Sequence, residues 1–149
     1  MSAWTICRGT AAEIPSVLAL WHSAEAIPSV TDSEDSLGRL VERDPDSLLL
    51  AEAGEMIVGS LIVGWDGWRG SFYRLAVDPE WRRQGIASAL IVAGEERLEN
   101  LGAIRLTAIV ASGERAAVAL WQAAGYQRQA NTRRFVRVLA DRNRVQWPT

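Results

Sequence analysis

The stretch FYRLAVDPEWRRQGIASAL, residues 72–90, decides how the rest of the chain is interpreted. Residues 72–77 are mostly aromatic or branched and predict a strand. Pro79 ends this strand, because proline cannot donate to a ladder. Beyond Gly85, apolar residues such as Ile86, Leu90 and Leu98 recur at helical spacing. The stretch therefore predicts a strand, an arginine-rich glycine turn and a helix in succession.

The turn between the strand and the helix has residues suited to binding phosphate. The first amides of a helix lack intrahelical partners and carry the positive end of its dipole. A glycine lets a phosphate approach these amides, and neighbouring arginines add charge-assisted hydrogen bonds. An ordinary connection with solvated arginines would have the same composition. The sequence matches neither the nucleotide-triphosphate loop nor the dinucleotide fingerprint.

The spacing Arg82-x-x-Gly85-x-Ala87 resembles the acetyl-CoA pyrophosphate signature of the GNAT superfamily of acyl-CoA N-acyltransferases. The resemblance implies acetyl-CoA as co-substrate and no metal. In that family the preceding strand binds the pantetheine, and the loop with the helix start binds the pyrophosphate. By resemblance the cofactor-binding residues are Leu75, Ala76, Val77, Arg82, Arg83, Gln84, Gly85, Ile86 and Ala87.

The predicted order of elements is β-α-α-β-β-β-α-β-α-β-β, which resembles the GNAT order from end to end. This implies an α/β (α+β) fold with a mixed, mostly antiparallel sheet of six to seven strands and about four helices. The last two strands are predicted as a hairpin at residues 126–129 and 133–139. A length of 149 residues suits one domain, residues 1–149, with a loose tail at residues 141–149.

The predicted last helix departs from the family pattern at two positions. Glu114 stands where the family commonly has Asn, and Trp121 where it commonly has the Tyr that protonates the departing thiolate. An indole donates a hydrogen bond but does not release its proton at working pH. The role of general acid therefore does not carry over to Trp121. Water or Tyr126 could supply the proton instead, although Tyr126 also suits plain packing.

Three residues are candidates for the catalytic centre, namely Tyr73, Val77 and Tyr126. The Val77 amide would polarise the thioester carbonyl, and Tyr73 could relay a proton from the amine through water. The sequence does not identify the general base. Candidates for the acceptor pocket are the aromatic and acidic residues Trp21, Glu25, Asp32, Trp65 and Trp68. For each of these, a core position or a solvated charge is the alternative.

Composition indicates the cellular compartment and the classes of binding partner. The single cysteine, Cys7, excludes an internal disulfide and favours a reducing compartment, and no apolar run reaches the length of a membrane span. We therefore predict a cytoplasmic protein without a membrane partner. A net charge of −2, without basic residues interleaved with aromatics, argues against nucleic-acid binding.

Charge is distributed unevenly along the chain. Residues 1–68 hold 3 Arg against 11 acidic residues, a formal −8, whereas residues 69–149 hold 13 Arg against 7, a formal +6. This asymmetry suits a cationic acceptor in the first half and a polyphosphate in the second. Two sets of solvated surface charges would explain it equally well.

The function predicted from the sequence is transfer of the acetyl group of acetyl-CoA to a primary amine of a small molecule, by direct attack in a ternary complex. One alternative in the same fold is acetylation of a peptide or protein N-terminus. Another is a CoA-binding regulatory module without turnover, which the Trp121 substitution suggests. The oligomeric state, a homodimer included, stays open.

Overall fold

The computed structural model describes residues 3–111 and 113–139. Two 3₁₀ turns, at Ala11–Glu13 and Pro79–Trp81, precede the first and third α-helices. The strands are β1 (Thr5–Arg8), β2 (Leu48–Ala53), β3 (Met56–Trp65), β4 (Gly70–Val77) and β5 (Leu106–Ala108). The α-helices are α1 (Ile14–Ser23), α2 (Glu34–Arg43), α3 (Ile86–Leu101) and α4 (Arg115–Ala123).

The strands form one mixed sheet in the order β1-β2-β3-β4-β5. The first four are antiparallel neighbours, whereas β5 runs parallel to β4 from Gly70↔Leu106 to Phe72↔Ala108. Helices cover both faces of the sheet. The core on one face includes Val17 and Trp21 of α1 and Leu37 of α2, and the core on the other is formed with α3 and α4. The sheet is thus a central layer between two pairs of helices.

The prediction of six to seven strands is wrong for the described part of the chain, which has five. Residues 126–139, predicted as a closing hairpin, contain no strand. Apolar residues of this segment lie on the surface, since Phe135 is 92% exposed and Val136 is 70% exposed. A strand is stabilised by pairing and by burial of one face, and residues 133–139 are mostly exposed and pair with no strand in the described part of the chain. The predicted tail at 141–149 lies outside the described residues.

Local signals fix two of the helix ends. The Thr10 amide donates to Glu13 Oε1 at 2.9 Å, and the Thr10 hydroxyl accepts from the Ala12 amide, so Thr10 and Glu13 form a capping box. Helix α3 ends at Gly102, which adopts φ +98°, as expected for a glycine stop. No helix within the described ranges is long and apolar enough to cross a bilayer.

Helix α3 lies unusually close to the sheet, which fixes the turn that precedes it. A Cβ at Gly94 would be 2.7 Å from Phe72 Cε1, and a Cβ at Gly59 would be 2.8 Å from Ile86 Cγ2. Any side chain at these two positions would force the helix and sheet apart. The first residue of the helix, Ile86, is itself 1% exposed. The start of α3 is therefore held rigidly beside the end of β4.

Candidate active site

The sheet opens between β4 and β5. Pairing of the two strands ends at Phe72↔Ala108, while β4 continues to Val77. Along residues 73–77 the edge of β4 that faces away from β3 has no strand partner among the described residues. We call this opening the β4–β5 gap. A gap of this kind leaves backbone groups of a central strand available to a ligand.

The backbone of Val77 faces the β4–β5 gap. The Asp78 amide donates to the Val58 carbonyl at 2.8 Å, so those two residues form a hydrogen-bonded pair. The next pair along the strands is Gly59↔Val77. Hydrogen-bonded and non-hydrogen-bonded pairs alternate in antiparallel strands, so the N–H and C=O of Val77 point away from β3. Consistent with this direction, the Val77 carbonyl accepts from Arg82 Nε at 3.4 Å.

The turn after β4 presents open backbone beside two arginines. Arg83 and Gly85 both have left-handed backbones, with φ +64° and φ +82°. The first α-helical hydrogen bond runs from the Ala89 amide to the Gly85 carbonyl at 3.0 Å, so the amides of residues 86–88 have no intrahelical partner. A Cβ at Gly85 would have Trp4 as its nearest neighbour, at 4.0 Å. The turn therefore leaves space for an anion against its amides, with exposed Arg82 and Arg83 alongside.

A bulge interrupts β4 just before Leu75. The register with β3 shifts between Ser60 and Ile62, and Arg74 adopts a left-handed φ of +55°. The Arg74 guanidinium donates to Asp32 through Nε at 3.1 Å and through Nη2 at 2.6 Å. It also lies 5.3 Å from the ring centroid of Trp21. The sequence does not indicate a role for Arg74, because neither a bulge nor a partner 42 residues away has a local signal.

A chain of hydrogen bonds ties α1 to this bulge. Trp21 Nε1 donates to Ser60 Oγ at 2.8 Å, and the Ser60 hydroxyl donates to the Arg74 carbonyl at 2.9 Å. Ser60 is fully buried and Trp21 is 3% exposed. Trp21 and Asp32, both predicted to lie near the acceptor, thus come together, but around Arg74.

The other predicted acceptor residues lie apart from this cluster. Glu25 is exposed just beyond α1, with a left-handed φ of +58°. Trp65 packs against the core under α3, on the opposite face of the sheet from Trp21. Trp68 is 70% exposed and has the Arg69 guanidinium 4.0 Å above its ring. The structure does not bring the three tryptophans into one pocket.

The two candidate tyrosines differ in their surroundings. Tyr73 is 43% exposed and pairs in register with Ile62 beside the β4–β5 gap. The Tyr126 hydroxyl donates to Glu95 Oε2 of α3 at 2.7 Å. Burial first, and then the hydrogen bond to Glu95, raises the pKa of Tyr126. The proton of Tyr126 is therefore held by a neighbouring carboxylate, whereas Tyr73 is open to solvent.

Trp121 is part of an aromatic cluster under α3. Its side chain is 6% exposed, with ring centroids 5.4 Å from Phe72 and 4.9 Å from Tyr126. The Tyr126 ring meets Trp121 edge-on, an arrangement that aromatic pairs favour. Trp121 therefore fills space between α4 and the sheet.

A separate cleft lies away from the β4–β5 gap. It has a volume of about 770 Å³ and is lined by the 3₁₀ turn at Ala11 and by α2, including Glu34, Asp35 and Arg39. None of its lining residues belongs to β4, β5 or α3. We place the candidate active site at the β4–β5 gap, because the open amides and arginines are there. The described residues contain no cluster of side chains suited to binding a metal.

Solved structures with the same architecture define the class of fold. Ard1 from Thermoplasma volcanium superposes with a TM-score of 0.77, at 19% identity over 86% of this chain and 85% of that one. An aminoglycoside N-acetyltransferase in complex with CoA superposes with a TM-score of 0.70, at 16% identity over 92% of this chain and 96% of that one. These similarities show the fold of an N-acetyltransferase.

Sequence comparison then shows the family. The family model described as Acetyltransferase (GNAT) family matches residues 15–126. An acetyltransferase of Sodalis glossinidius is 34% identical over 113 residues, which is 76% of this chain and 80% of that protein. The chain belongs to the GNAT family of acetyltransferases, as the motif at Arg82–Ala87 predicted. It is therefore an acyltransferase.

Proposed function

We propose that this acetyltransferase moves the acetyl group of acetyl-CoA to a primary amine of a small molecule, by direct attack within a ternary complex. The observation that carries the proposal is the Val77 backbone, which faces the β4–β5 gap next to the open amides of α3. A strand amide and a helix start so placed can bind the thioester carbonyl and the pyrophosphate of one extended acetyl-CoA molecule. We expect this reaction to take place in the cytoplasm.

The cofactor would be bound mainly by backbone. Arg82, Arg83 and Gln84, with the amides from Gly85 to Ala87, would hold the pyrophosphate, because unpaired helix amides and guanidinium groups both favour it. Leu75 and Val77 would provide backbone partners for the pantetheine, and Ala76 would lie between them with its own backbone directed toward β3. Acetyl-CoA supplies an acyl group activated as a thioester.

The protein's own groups would contribute polarisation and proton transfer. The Val77 N–H would donate to the carbonyl oxygen, an effect worth about 3–4 kcal/mol in oxyanion holes. Tyr73, open to solvent beside the gap, would relay the amine proton through water. The departing thiol has a pKa of about 8.5, so it can leave without a dedicated acid at a cost of roughly 2 kcal/mol near pH 7.

One observation supports a small acceptor over a peptide. The loop between α1 and α2 is tied down to β4 by Asp32 and Arg74, which limits the room above the strand. The formal −8 of residues 1–68 further supports a cationic amine.

Thiol release from acetyl-CoA tests the proposal. We would measure it with a panel of small amines, including kanamycin and spermine, and with hexapeptides of different N-terminal residues. Preferential turnover of small amines supports the proposal. Preference for peptides would favour acetylation of protein N-termini. Binding of CoA without turnover of any acceptor would favour the regulatory module that the Trp121 substitution suggests.

A further inference from the structure

We propose that the Asp32–Arg74 ion pair is a latch that holds the α1–α2 loop, residues 24–33, over the bulge of β4 and thereby sets the affinity for the acceptor. The proposal rests on the proposed function and deepens it, because it assigns a determinant of acceptor binding to a pair that no motif contains. Arg74 is a positioning residue in this view, acting through the loop.

One carboxylate performs both halves of the latch. Asp32 Oδ2 accepts from the Ser29 amide at 3.0 Å, and the Asp32 amide donates to the Ser29 carbonyl at 3.0 Å, which closes the loop into a turn. The same carboxylate accepts two parallel hydrogen bonds, from Nε and Nη2 of Arg74. A bidentate pair of this kind fixes the orientation of the carboxylate as well as its distance, and among the basic side chains only arginine can form it. The turn is therefore seated on β4 in one orientation.

The base of the latch is rigid. The left-handed backbone of Arg74 is unfavourable for a residue with a Cβ and persists only where surrounding contacts hold it. Here the Arg74 carbonyl accepts a hydrogen bond from the buried Ser60 hydroxyl. That hydroxyl in turn accepts a hydrogen bond from Trp21 Nε1. The bulge directs the Arg74 side chain toward the loop. Its side chain and that of Asp32 are 21% and 17% exposed, so water competes weakly for the pair.

The latch has a consequence for the acceptor. Arg74 directly follows Tyr73, which is open beside the β4–β5 gap, so the loop is secured next to the proposed reaction centre. The negative charge of Asp32 is neutralised by Arg74 and is not free to attract a cationic amine. Releasing the loop would add a cost of ordering to acceptor binding but none to cofactor binding at the Arg82–Ala87 turn. The latch thus affects one substrate selectively.

Steady-state kinetics separate the two substrates. The variants Arg74→Gln, Asp32→Asn and the double variant would be assayed with acetyl-CoA and the most active member of the panel of kanamycin, spermine and a hexapeptide beginning with alanine. We expect acceptor KM to rise about tenfold, the loss of about 1.4 kcal/mol, with KM for acetyl-CoA within about twofold of wild type. The double variant should resemble the single ones, because the two residues act as a unit. An unchanged acceptor KM in the folded single variants would overturn the proposal.

A matched control is the ion pair that joins the C-terminal end of α2 to α3. Arg97 binds Asp44 at 2.6 Å, with side chains 16% and 25% exposed, and its other hydrogen bond goes to the Val63 carbonyl rather than to the α1–α2 loop. Arg97→Gln should lower Tm as Arg74→Gln does but leave acceptor KM unchanged. Arg74→Gly removes the latch while relieving the left-handed backbone, so it should lower Tm less than Arg74→Gln and raise acceptor KM equally. If acceptor KM instead follows Tm across all three variants, the pair is merely structural.

Hydrogen exchange tests the loop without an acceptor. Amides of residues 25–33 should exchange about tenfold faster in Arg74→Gln and at the wild-type rate in Arg97→Gln. Unchanged exchange in Arg74→Gln would refute the latch itself. If the wild-type protein binds acetyl-CoA but acetylates no member of the panel, the proposed function fails, and the acceptor role of the latch fails with it. The exchange result then still decides whether the pair holds the loop.

Discussion

The hydroxyl of Tyr126 donates to Oε2 of Glu95 at 2.7 Å, which ties the chain after α4 to the middle of α3. The bond joins residues 31 positions apart, beside the edge-on contact of Tyr126 with Trp121. Because the carboxylate holds the tyrosine proton, Tyr126 is better suited to stabilising the fold than to protonating a thiolate.

The variant Tyr126→Phe should therefore be less stable than the wild type but turn over acetyl-CoA at a similar rate. Loss of a hydrogen bond to a partly buried carboxylate is worth about 1.5–3 kcal/mol, and the ring contacts remain. Acetyl transfer near neutral pH should stay within about threefold of wild type, well inside the roughly hundredfold or greater loss of a missing general acid. Thermal unfolding and turnover of acetyl-CoA measure the two effects. A hundredfold fall in kcat with an unchanged Tm would restore Tyr126 as the acid.

The raised pKa of Tyr126 also predicts how stability depends on pH. Burial and Glu95 favour the neutral phenol, so the folded state keeps its proton at a pH where the unfolded chain has lost it. The associated stability is fully present below about pH 10 and declines as the pH rises above that value. Wild-type Tm should fall more steeply above about pH 10 than Tm of Tyr126→Phe. Parallel curves for the two proteins would show that the phenol does not contribute.

Gly85 should be required for binding of the cofactor. The Cβ added by Gly85→Ala would clash with no atom of the protein. It would obstruct only a ligand bound at the helix amides. The left-handed backbone adds strain of about 1 kcal/mol. We expect affinity for CoA, measured by calorimetry, to fall about tenfold or more in Gly85→Ala and to be lost in Gly85→Val.

Gly102→Ala provides the control for that strain. Gly102 has φ +98°, and a Cβ there would have no neighbour within 4 Å, but it lies at the other end of α3. The Gly102→Ala variant should lose stability to a similar extent and bind CoA normally. Equal affinities in Gly85→Val and wild type would refute the assignment of the phosphate site.

Trp121 should prove to be a packing residue. The ring is almost fully buried against Phe72 and Tyr126, so Trp121→Phe should lower the free energy of unfolding by about 1–3 kcal/mol. Turnover should fall only modestly, and Trp121→Tyr could exceed wild type near neutral pH by supplying an ionisable hydroxyl. A loss of activity beyond about a thousandfold in folded Trp121→Phe would show a direct role in proton transfer.

Much of the fold was predictable because its signals are local. The strand, turn and helix around Gly85, the capping box at Thr10 and the glycine stop at Gly102 each depend on residues a few positions apart. The motif from Arg82 to Ala87, together with the order of elements, indicated the family from sequence alone. The two extra strands at residues 126–139 were predicted wrongly, because apolar residues such as Phe135 and Val136 say nothing about whether a neighbouring strand or helix covers them.

The parts of the site that sequence could not predict depend on register. Whether Trp21 and Trp65 share a face of the sheet follows from strand pairing and helix placement, and they lie on opposite faces. The bulge at Arg74 changes which side chains face the α1–α2 loop, and Asp32, an acid predicted to border the acceptor, forms an ion pair with Arg74 that the sequence does not indicate. Pairs of residues this far apart in the chain produce no periodic pattern in the sequence.

Cys7 should be unreactive at neutral pH. Its thiol donates to Glu52 Oε2 at 3.4 Å, and burial, followed by this hydrogen bond and the charges of Glu52 and Glu13, raises the pKa of Cys7 from 9.0 to about 11. At about pH 8 the thiolate is then about a hundredfold scarcer than in the unfolded chain, and the thiolate is the reactive form. Alkylation of the native protein by iodoacetamide at about pH 8 should be slower by this factor than alkylation in denaturant.

The variant Glu52→Gln identifies the cause of that low reactivity. It removes the charge but keeps an acceptor at the same position, so the pKa of Cys7 should fall toward 9.0 and native alkylation should accelerate. The raised pKa also stabilises the fold below about pH 9, and this contribution is lost as the pH rises toward 11. Glu52→Gln should reduce that alkaline loss. If Glu52→Gln leaves the rate unchanged while denaturant raises it, burial alone protects the thiol and the carboxylate has no part in it.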